Sequence, residues 1–430
     1  METNWAGNYR YGATRLHRPT SLAQVQEIVA RAPHVRVLGS RHSFNGIADS
    51  AELVSLDALS AGTTLPAPIA VDLEAGTVSM GGGVTYGALV EVLRAAGAAL
   101  HNLASLPHIS VAGAVATATH GSGVANGNLA TAVSAVEIVT SSGEIVRSSR
   151  SDTDFDGMVV GLGALGAVTR ITLDIEPAFE VEQRVFEGLR WDALFDNFDE
   201  ITSCGYSVSL FTLWRGDIDM VWVKSRTDAH DHPEGDLFGA VPAVVERHPV
   251  IGLDPAPCTP QLARRGLWAD RLPHFRMGFT PSAGDELQSE YLVPRRNALG
   301  ALEALRSLAD RISPLVQASE IRTVAPDQLW MSTSYGEPTV AVHFTWKPAQ
   351  EAVEALLVDL ERILSPFEAR PHWGKLFHAD ATTIASLYPR HGEFLRLVER
   401  MDPRGAFGNA WLEAHVLGDR RADGPSRVRA

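Results

Sequence analysis

The sequence predicts an α+β protein with two domains of different architecture. Its 430 residues exceed the usual size of one domain, and 45% of them are hydrophobic, which is enough for a substantial core. Strand and helix patterns alternate over residues 1–180. Beyond Pro177 glycine becomes less frequent. Strand-like alternation at Ser319–Val324 and Thr339–Trp346 predicts a second domain built on an antiparallel sheet.

The elements of the first domain follow from local patterns in chain order. Thr20 or Ser21 is placed to cap a helix that begins near Leu22 and carries apolar side chains every three or four residues. A second helix is expected over Tyr86–Ala96, after the glycines Gly81–Gly83. Strands are expected at His34–Leu38, Ala70–Leu73, Thr77–Met80, Ser134–Thr140, Glu144–Val146 and Val168–Ile175.

The second domain should contain one helix and a long irregular excursion. Residues Ser225–Pro260 are rich in Pro, Asp and His, so a long loop is expected there. The helix is placed between Arg296 and Ile312. At the end of the chain, residues 418–430 carry several arginines, and a solvated, disordered tail is expected.

Composition and charge narrow the classes of partner. The formal net charge of −14 argues against nucleic acid or an anionic membrane as a partner. No apolar run reaches the length of a membrane span, and the first residues lack the pattern of a secretory signal. The two cysteines, Cys204 and Cys258, cannot build a disulfide framework, which fits a reducing compartment. A cytoplasmic monomer is therefore expected.

Two segments of the first domain that contain glycine predict a site for an anion. They are Val37–Ser43 and Ala104–Gly123, which combine glycine with serine and histidine. Backbone N–H groups in such segments can approach a pyrophosphate without interference from a Cβ atom. A third string, Gly161–Gly166, matches G-x-G-x-x-G but leads into a strand. Because the Rossmann motif requires a helix at that point, a tight turn is predicted instead.

Several motifs together resemble the alditol oxidases of the vanillyl-alcohol-oxidase flavoprotein superfamily. Gly39–Asn45 (GSRHSFN) marks the superfamily, and Ala104–Ser110 (ASLPHIS) narrows the resemblance to the group that oxidises polyols. Further matching segments are Asn4–Gly7, Gly284–Tyr291, Glu320–Val324, His343–Trp346 and His372–Lys375. The resemblance therefore extends over nearly the whole chain.

The resemblance implies a PCMH-type FAD-binding domain in two parts, with an inserted cap domain that carries the substrate site on an antiparallel sheet with helices. The implied division gives residues 1–180 to the N-terminal part of the FAD domain and 181–375 to the cap. Residues 376–417 would return to the FAD domain, and 418–430 would form the tail.

FAD is the cofactor that the resemblance implies, and its attachment is expected to be covalent. In this family the histidine of the Gly-Ser-x-His-Ser motif bonds to the 8α-methyl carbon of FAD, so this role is expected of His42. Arg41 stands where the family often has glycine, and Gly408 stands where it often has threonine. The other residues expected to contact FAD are Val37, Leu38, Gly39, Ser40, Arg41, Ser43, Ser105, Ser110, Gly113, Ala114, Val115, Ala116, His120, Gly121, Gly166, Val168, His372 and Asn409.

Two strands of the second domain each present a polar pair on one face. His343 and Thr345 share a face of one strand, and Glu320 and Arg322 share a face of the other. The pattern alone is equally compatible with a surface ion pair and a half-exposed histidine. The resemblance favours a site. It implies that the polyol is bound by Ser105, Glu320, Arg322, Thr345 and Lys375, with His343 beside the flavin.

Oxidation of an alcohol by a flavin requires a base for the hydroxyl proton and positive charge near the oxygen. Arg322 and Lys375 are expected to stabilise the developing alkoxide, and Glu320 to orient these cations. His343 is the leading candidate for the base, with Lys375 as the alternative. The expected reaction converts a terminal hydroxyl of an alditol, such as xylitol or sorbitol, to the aldose. Hydride is expected to pass to flavin N5, and the resemblance implies that O2 reoxidises the flavin with release of H2O2. A dehydrogenase that uses another electron acceptor stays open.

Two other functions stay open at this stage. An aldonolactone oxidase of the gulonolactone or arabinonolactone type shares the histidine motif and a His-Trp-x-Lys segment. The alternative from another class is a flavin-binding protein without turnover, although storage needs neither a base nor cations for an alkoxide. No metal site is predicted, because the metal-like fragment Asp228–His232 has no second cluster to complete it.

Overall fold

The computed structural model describes residues 3–61, 68–229, 233, 235–279 and 286–418 of the chain. Some of the sequence expectations fall wholly or partly outside these ranges. They concern part of the loop Ser225–Pro260, the end of the fragment Asp228–His232, the start of the segment Gly284–Tyr291, and the tail at 419–430.

The strands and helices of the described residues are numbered in chain order. The strands are β1 Arg15–His17, β2 Val35–Val37, β3 Glu52–Val54, β4 Ile69–Asp72, β5 Thr77–Gly81, β6 Ala98–Ala99, β7 Val133–Val139, β8 Ile145–Ser149, β9 Ala167–Asp174, β10 Glu176–Pro177, β11 Glu180–Leu189, β12 Ser207–Thr212, β13 Ile218–Arg226, β14 Val241–Pro242, β15 Gly266–Leu267, β16 Leu287–Pro294, β17 Val316–Val324, β18 Thr339–Trp346 and β19 Arg370–Pro371. The helices are α1 Leu22–Arg31, α2 Asp57–Ala61, α3 Tyr86–Ala96, α4 Val111–Ala116, α5 Phe155–Val159, α6 Trp191–Asp196, α7 Phe198–Thr202, α8 Ala298–Arg306, α9 Ala309–Ile312, α10 Gln350–Leu364, α11 Ala381–Leu387, α12 His391–Met401 and α13 Ala410–Leu412.

In the described residues, the N-terminal part of the chain contains a five-stranded antiparallel sheet and a small parallel sheet. The strand orders are β4-β5-β9-β7-β8 and β1-β3-β2. Helix α1 begins after Ser21, whose hydroxyl caps its first turn, and it buries Val25 and Val29. Helix α3 has the predicted bounds and ends at Gly97 in the left-handed conformation, with φ 69°. These elements confirm the expectations for this part of the chain.

The middle of the chain forms a nine-stranded sheet over the described residues, called the cap sheet below. Its strands follow the order β14-β11-β13-β12-β17-β18-β16-β19, with β15 also paired to β11. Neighbouring strands run antiparallel. Helix α8 lies against both β16 and α10. The antiparallel sheet with helices confirms the alternation that was read from the sequence.

The last described segment, residues 376–418, contacts the N-terminal part of the chain. Phe407 is buried in the cluster that includes the apolar face of α1. The guanidinium of Arg404 donates to the carbonyl oxygen of Ser141, and that of Arg36 donates to the carbonyl oxygen of Phe407. These contacts tie the end of the chain to its beginning.

The structure differs from the sequence expectations in one helix. The helix expected between Arg296 and Ile312 is divided into α8 and α9, because Leu308 departs from the helical conformation, with φ −98° and ψ 9°. The predicted tight turn at Gly161–Gly166 does precede a strand, β9, which is consistent with rejection of the Rossmann motif. None of the helices in the described ranges is both long enough and apolar enough to cross a membrane.

Candidate active site

A cavity of about 370 Å³ lies between the two segments that contain glycine and one face of the cap sheet. Val37–Ser43 and Ala104–Ser110 contribute to one wall, and side chains of β16, β17 and β18 contribute to the other. All residues that were expected to bind substrate or to act in catalysis line this cavity: Ser105, Glu320, Arg322, His343, Thr345 and Lys375.

The two segments that contain glycine meet at Ser110. The hydroxyl of Ser40 accepts a hydrogen bond of 3.0 Å from the backbone N–H of Ser110. A Cβ atom built on Gly39 or on Gly113 would lie only 2.6 Å from Oγ of Ser110. Both positions therefore need glycine, and the backbone beside the cavity stays accessible, as a pyrophosphate site requires.

The residues expected to contact FAD fall into three groups. Those that line the main cavity are Val37, Leu38, Gly39, Ser40, Arg41, His42, Ser43, Ser105, Ser110, Gly113, Ala114, Ala116, His120 and His372. A smaller cavity of about 30 Å³ shares Ala116 and Gly163 with the main one, and its walls include Val115, Gly166 and Val168. Gly121 and Asn409 line neither cavity. A Cβ atom on Gly121 would lie 2.5 Å from Oδ1 of Asn102, so this glycine permits close backbone packing.

Asn409 is hydrogen-bonded to a turn of the N-terminal part of the chain, and its expected contact with FAD stays a prediction. Its side-chain amide donates to the carbonyl oxygens of Gly46, at 3.0 Å, and of Asp49, at 2.8 Å. Its Oδ1 accepts a hydrogen bond of 2.8 Å from the N–H of Leu412 and caps α13. These bonds fix the side chain against the backbone that follows the His42 turn.

We expect Asn409→Ala to lower the free energy of unfolding by about 1–3 kcal/mol, because it removes a helix cap and the amide that donates to the carbonyl oxygens of Gly46 and Asp49. The FAD absorbance of the purified protein should stay unchanged. Asn409→Asp keeps the helix cap but loses the amide donors. Its free energy of unfolding should therefore lie between those of the wild type and Asn409→Ala. Urea unfolding followed by tryptophan fluorescence measures the effect. Loss of FAD at unchanged stability would contradict the structural role.

The environment of His42 suits a histidine that carries a covalent group. Its ring stacks on Trp5, with 5.4 Å between centroids and an interplanar angle of 19°. The Nδ1 atom is buried and has no hydrogen-bond partner. Burial lowers the pKa of His42 to about 4, so the imidazole is neutral near pH 7. A neutral ring with one nitrogen unpartnered is available to form a bond.

Arg41 adopts a backbone conformation that favours glycine. Its φ of 63° lies in the left-handed region, where a residue with a side chain costs about 1–2 kcal/mol more than glycine. The turn is held from both sides. On one side, the carbonyl oxygen of Arg41 accepts a hydrogen bond of 2.8 Å from the N–H of Trp5. On the other side, the N–H of Phe44 donates a hydrogen bond of 2.8 Å to the carbonyl oxygen of Gly374. The turn is thereby fixed against the segment that carries Lys375.

The register of the cap sheet places the expected substrate residues side by side. Glu290 on β16, His343 on β18 and Glu320 on β17 are direct neighbours across three strands. In the next row, Thr345 is opposite Gln288 on β16. Directly paired residues point to the same face of a sheet, so these side chains form one polar wall of the cavity.

Glu290 is the central residue that sequence reasoning missed. It is 1% exposed, and its carboxylate accepts hydrogen bonds from Nη2 of Arg322, at 2.5 Å, and from Nζ of Lys375, at 2.6 Å. Nε2 of His120 lies 3.3 Å from the same carboxylate. Burial acts to raise the pKa of Glu290, but the adjacent Lys375 and Arg322 hold it well below its usual value. An ionised carboxylate thus holds both expected cations.

Both ring nitrogens of His343 have partners. Nδ1 lies 2.8 Å from Nζ of Lys375, and Nε2 lies 3.0 Å from Oγ1 of Thr345. Burial, together with the charge of Lys375, holds the pKa of His343 well below its usual value, so the ring is neutral. Burial also lowers the pKa of Lys375, although Glu290 opposes this shift. A neutral imidazole beside a lysine of lowered pKa can accept a proton from a hydroxyl.

Glu320 is also held by a residue that sequence reasoning missed. Nε2 of His274 lies 2.8 Å from Oε1 of Glu320, and Nε of Arg322 lies 3.6 Å from Oε2. Behind His274, Nζ of Lys224 on β13 lies 3.2 Å from Nδ1 of the ring. Glu320 is 5% exposed, Arg322 is 6% exposed and His343 is 8% exposed. The alternative of a surface ion pair is therefore wrong.

Two known protein families match the chain, one in its N-terminal part and one in its C-terminal part. The model of the FAD binding domain matches residues 13–149, and that of D-arabinono-1,4-lactone oxidase matches residues 285–415. Alditol oxidase of Streptomyces sp. (strain IKD472) is 49% identical over 415 residues, which cover 95% of this chain and 97% of that protein. L-gulono-1,4-lactone dehydrogenase of Mycobacterium tuberculosis is 29% identical, with 97% and 99% covered. L-gulonolactone oxidase of Mus musculus is 24% identical, with 95% and 97% covered.

Among solved structures, cholesterol oxidase from Brevibacterium sterolicum has a TM-score of 0.76 at 14% identity, with 96% of each chain covered. That likeness concerns the fold, and it confirms the expected α+β architecture of a PCMH-type FAD-binding domain with a second domain. The 49% sequence identity with the Streptomyces alditol oxidase, over nearly the whole chain, shows the family. The chain therefore belongs to the alditol oxidase family of FAD-dependent oxidoreductases.

Proposed function

We propose that the protein oxidises a terminal hydroxyl of an alditol, such as xylitol or sorbitol, to the aldose, with FAD attached covalently to His42 and O2 as the electron acceptor. The main support is the polar wall of the cavity, in which two ionised carboxylates, two cations and a neutral histidine face the segments that contain glycine. A relative that is 49% identical carries the name alditol oxidase.

The residues of the cavity fit FAD. Ser40 and Ser110, with the open backbone at Gly39 and Gly113, would hold the pyrophosphate. The unpartnered Nδ1 of His42 would hold the 8α-carbon. When bound, FAD supplies the acceptor for the substrate hydride and passes the electrons to O2, which yields H2O2.

The wall of the cap sheet supplies the groups that act on the alcohol. Arg322 and Lys375 bind the reacting oxygen and stabilise the negative charge that develops on it. Nδ1 of His343 accepts the hydroxyl proton, while Thr345 holds the opposite nitrogen of the ring. Glu290 keeps both cations in place through its two carboxylate oxygens.

The same wall favours a substrate with several hydroxyl groups. Glu320, Ser105 and Thr345 line the cavity and would bind hydroxyls that do not react. A substrate without these hydroxyls would leave buried polar groups unpaired, which costs about 1–3 kcal/mol for each such group. Recognition by polar side chains therefore selects a polyol over a simple alcohol.

An aldonolactone oxidase is the second candidate. It is favoured by the match of residues 285–415 to the D-arabinono-1,4-lactone oxidase family and by the relatives named for L-gulono-1,4-lactone. We place it second, because the relative named alditol oxidase is 49% identical and the lactone relative is 29% identical.

We also propose the organisation that the sequence implied. Residues 1–180 and 376–417 would form the FAD domain, and residues 181–375 the cap. The contacts of Phe407 and Arg404 with the N-terminal part support this division. The protein would act as a cytoplasmic monomer.

Acid precipitation of the purified protein tests covalent attachment. We expect the wild-type pellet to remain yellow and the intact mass to be higher by one FAD, whereas His42→Ala should give a colourless pellet and the mass of the bare chain. The reason is that His42, which lines the cavity, has a buried Nδ1 without a hydrogen-bond partner. A colourless wild-type pellet would refute the covalent bond.

Anaerobic titration then tests the substrate. Xylitol or sorbitol is expected to bleach the flavin absorbance of the native protein, and L-gulono-1,4-lactone to bleach it much more slowly. Bleaching by the lactone alone would replace the alditol proposal with the lactone alternative. A flavin that no polyol or lactone reduces would support a protein without turnover.

A further inference from the structure

Lys224 is a buried lysine behind the polar wall. It lies on β13, is 1% exposed and does not line the cavity. Its Nζ contacts three acceptors, which are the carbonyl oxygens of Leu272 and Pro273 and Nδ1 of His274. Three acceptors match the three N–H groups of an ammonium ion. The geometry therefore suits a protonated lysine, although burial lowers the pKa of Lys224 to about 7, so that its charge titrates near neutral pH.

His274 connects Lys224 with Glu320. Its ring lies against the rings of Phe211 and Trp222, with centroid distances of 5.6 and 5.3 Å in edge-on geometry, so its orientation is fixed. An ionised carboxylate can only accept, so the ring nitrogen Nε2 that lies 2.8 Å from Glu320 must carry the hydrogen. Nδ1 then accepts from Lys224. Burial, aided by Lys224, lowers the pKa of His274 to about 4, which keeps the ring neutral.

This chain of contacts also sets the charge of the site. The cations are Lys224, Arg322 and Lys375, and the carboxylates are Glu290 and Glu320. When Lys224 is protonated and the linking His274 is neutral, these groups leave one positive charge, which balances the single negative charge of a bound alkoxide. Removal of Lys224 would bring the sum to zero and leave Glu320 without a cation on its outer side.

We propose that Lys224 and His274 are positioning residues of the substrate site, which hold Glu320 as an ionised and oriented acceptor for a hydroxyl of the polyol. Lys224 acts through His274, since it donates to Nδ1 and so supports the tautomer that donates to Glu320. The inference rests on the proposed function, because it gives Glu320 a substrate hydroxyl as its partner.

The test compares variants that break the chain of contacts with one that preserves it. Lys224→Met removes the cation, and His274→Leu removes both hydrogen bonds of the ring. In both, the Kd of xylitol for the anaerobically reduced enzyme should rise about 10- to 100-fold, the size expected when a hydrogen bond to a charged group is lost. His274→Gln should bind close to the wild type, because its amide can donate to Glu320 and accept from Lys224. Lys347→Met, at an exposed lysine that donates to the carbonyl oxygen of Pro314, is the matched control and should leave binding unchanged.

A second measurement is independent of substrate. The ¹⁵N NMR spectrum of the wild type, assigned by difference from His274→Gln, should show the tautomer with hydrogen on Nε2, and the Nδ1 signal should shift in Lys224→Met, because Nδ1 loses its hydrogen-bond donor. Hydrogen on Nδ1 in the wild type would overturn the inference, even if the variants fold poorly.

The outcomes for the inference and for the proposed function are separable. If no alditol reduces wild-type flavin, the proposed function fails, whatever the NMR spectrum shows. If the wild type oxidises xylitol and Lys224→Met binds it equally well, the proposed function stands and the positioning role is wrong. An equal loss for His274→Gln and His274→Leu would also contradict the role, because it would indicate a general packing effect.

Discussion

Replacing Glu290 with glutamine is expected to lower the anaerobic rate of flavin reduction by xylitol at least about 100-fold, since loss of one partner of a buried ion pair typically costs about 3–5 kcal/mol. The carboxylate is 1% exposed and contacts both Arg322 and Lys375. Glutamine keeps the shape but removes the negative charge that lies between Arg322 and Lys375, and Arg322 keeps only Glu320 as a counter-charge. The groups that should bind the reacting oxygen would then repel one another and shift.

The pH dependence of this variant should change in a defined direction. Burial lowers the pKa of Lys375, and the negative charge of Glu290 partly offsets that shift. Without that charge the pKa of Lys375 falls further, so Lys375 loses its proton at a lower pH than in the wild type. Any part of the rate that requires protonated Lys375 is then lost earlier as the pH rises. If the rate of Glu290→Gln declined at the same alkaline pH as that of the wild type, the effect of Glu290 on the pKa of Lys375 would be contradicted.

Glu182→Gln is a suitable control for Glu290→Gln. Glu182 is 5% exposed, accepts a hydrogen bond of 2.9 Å from Arg184 and lies 3.6 Å from Arg265, but it does not line the cavity. It tests the general cost of neutralising a buried glutamate that contacts two cations. Stopped-flow reduction of both variants should separate catalysis from folding. A similar loss of rate in the two would mean that Glu290 contributes stability and has no particular role at the site.

Local periodicity was sufficient to predict the polar faces of β17 and β18. Both strands are long, and in each the residues opposite the polar pair are apolar, such as Ile321 and Phe344. The period of two in a strand therefore assigned Glu320 and Arg322 to one face of β17. It assigned His343 and Thr345 to one face of β18. That the two faces coincide depends on strand pairing, which a single strand cannot reveal.

Glu290 was missed because its role arises from register between distant strands. It lies in a segment already noted for its resemblance, and alternation places it on the same face as Gln288. That signal was available, but it does not say that β16 pairs with β18 so that Glu290 is opposite His343. His274 gave no signal at all, since the residues around it form neither a strand nor a helix.

Asn409 and Lys224 illustrate two further limits of sequence reasoning. Asn409 belongs to a segment that resembles the flavin side of the family, yet its donors are taken by the carbonyl oxygens of Gly46 and Asp49. Lys224 follows an apolar run on β13 and looks like the exposed end of a strand. It is buried because three acceptors from residues 272–274 surround its Nζ. In both cases the partners come from distant parts of the chain.

Substitution of His343 by glutamine is expected to slow anaerobic flavin reduction about 100- to 10,000-fold, the usual contribution of a positioned base. The imidazole is neutral, and its Nδ1 lies 2.8 Å from Nζ of Lys375, which can move to the substrate oxygen as the proton leaves. Glutamine fills a similar volume but cannot take up a proton. His391→Gln is the control, because His391 is buried outside the cavity and bonds the carbonyl oxygen of Val416. Near-normal reduction in His343→Ala would show that His343 is not the base.

The pH profile of the wild type distinguishes His343 from Lys375 as the base. A base must be unprotonated before it accepts the hydroxyl proton. The pKa of His343 lies well below its usual value, so His343 is already neutral at neutral pH, and the rate of reduction should not rise as the pH is increased from there. The lowered pKa of Lys375 starts from an ordinary value of about 10.4, so a Lys375 base would make the rate rise as the pH is increased. A profile without such a rise, the large loss of rate in His343→Gln and a smaller loss in Lys375→Arg would together assign the proton to His343 and the charge to Lys375.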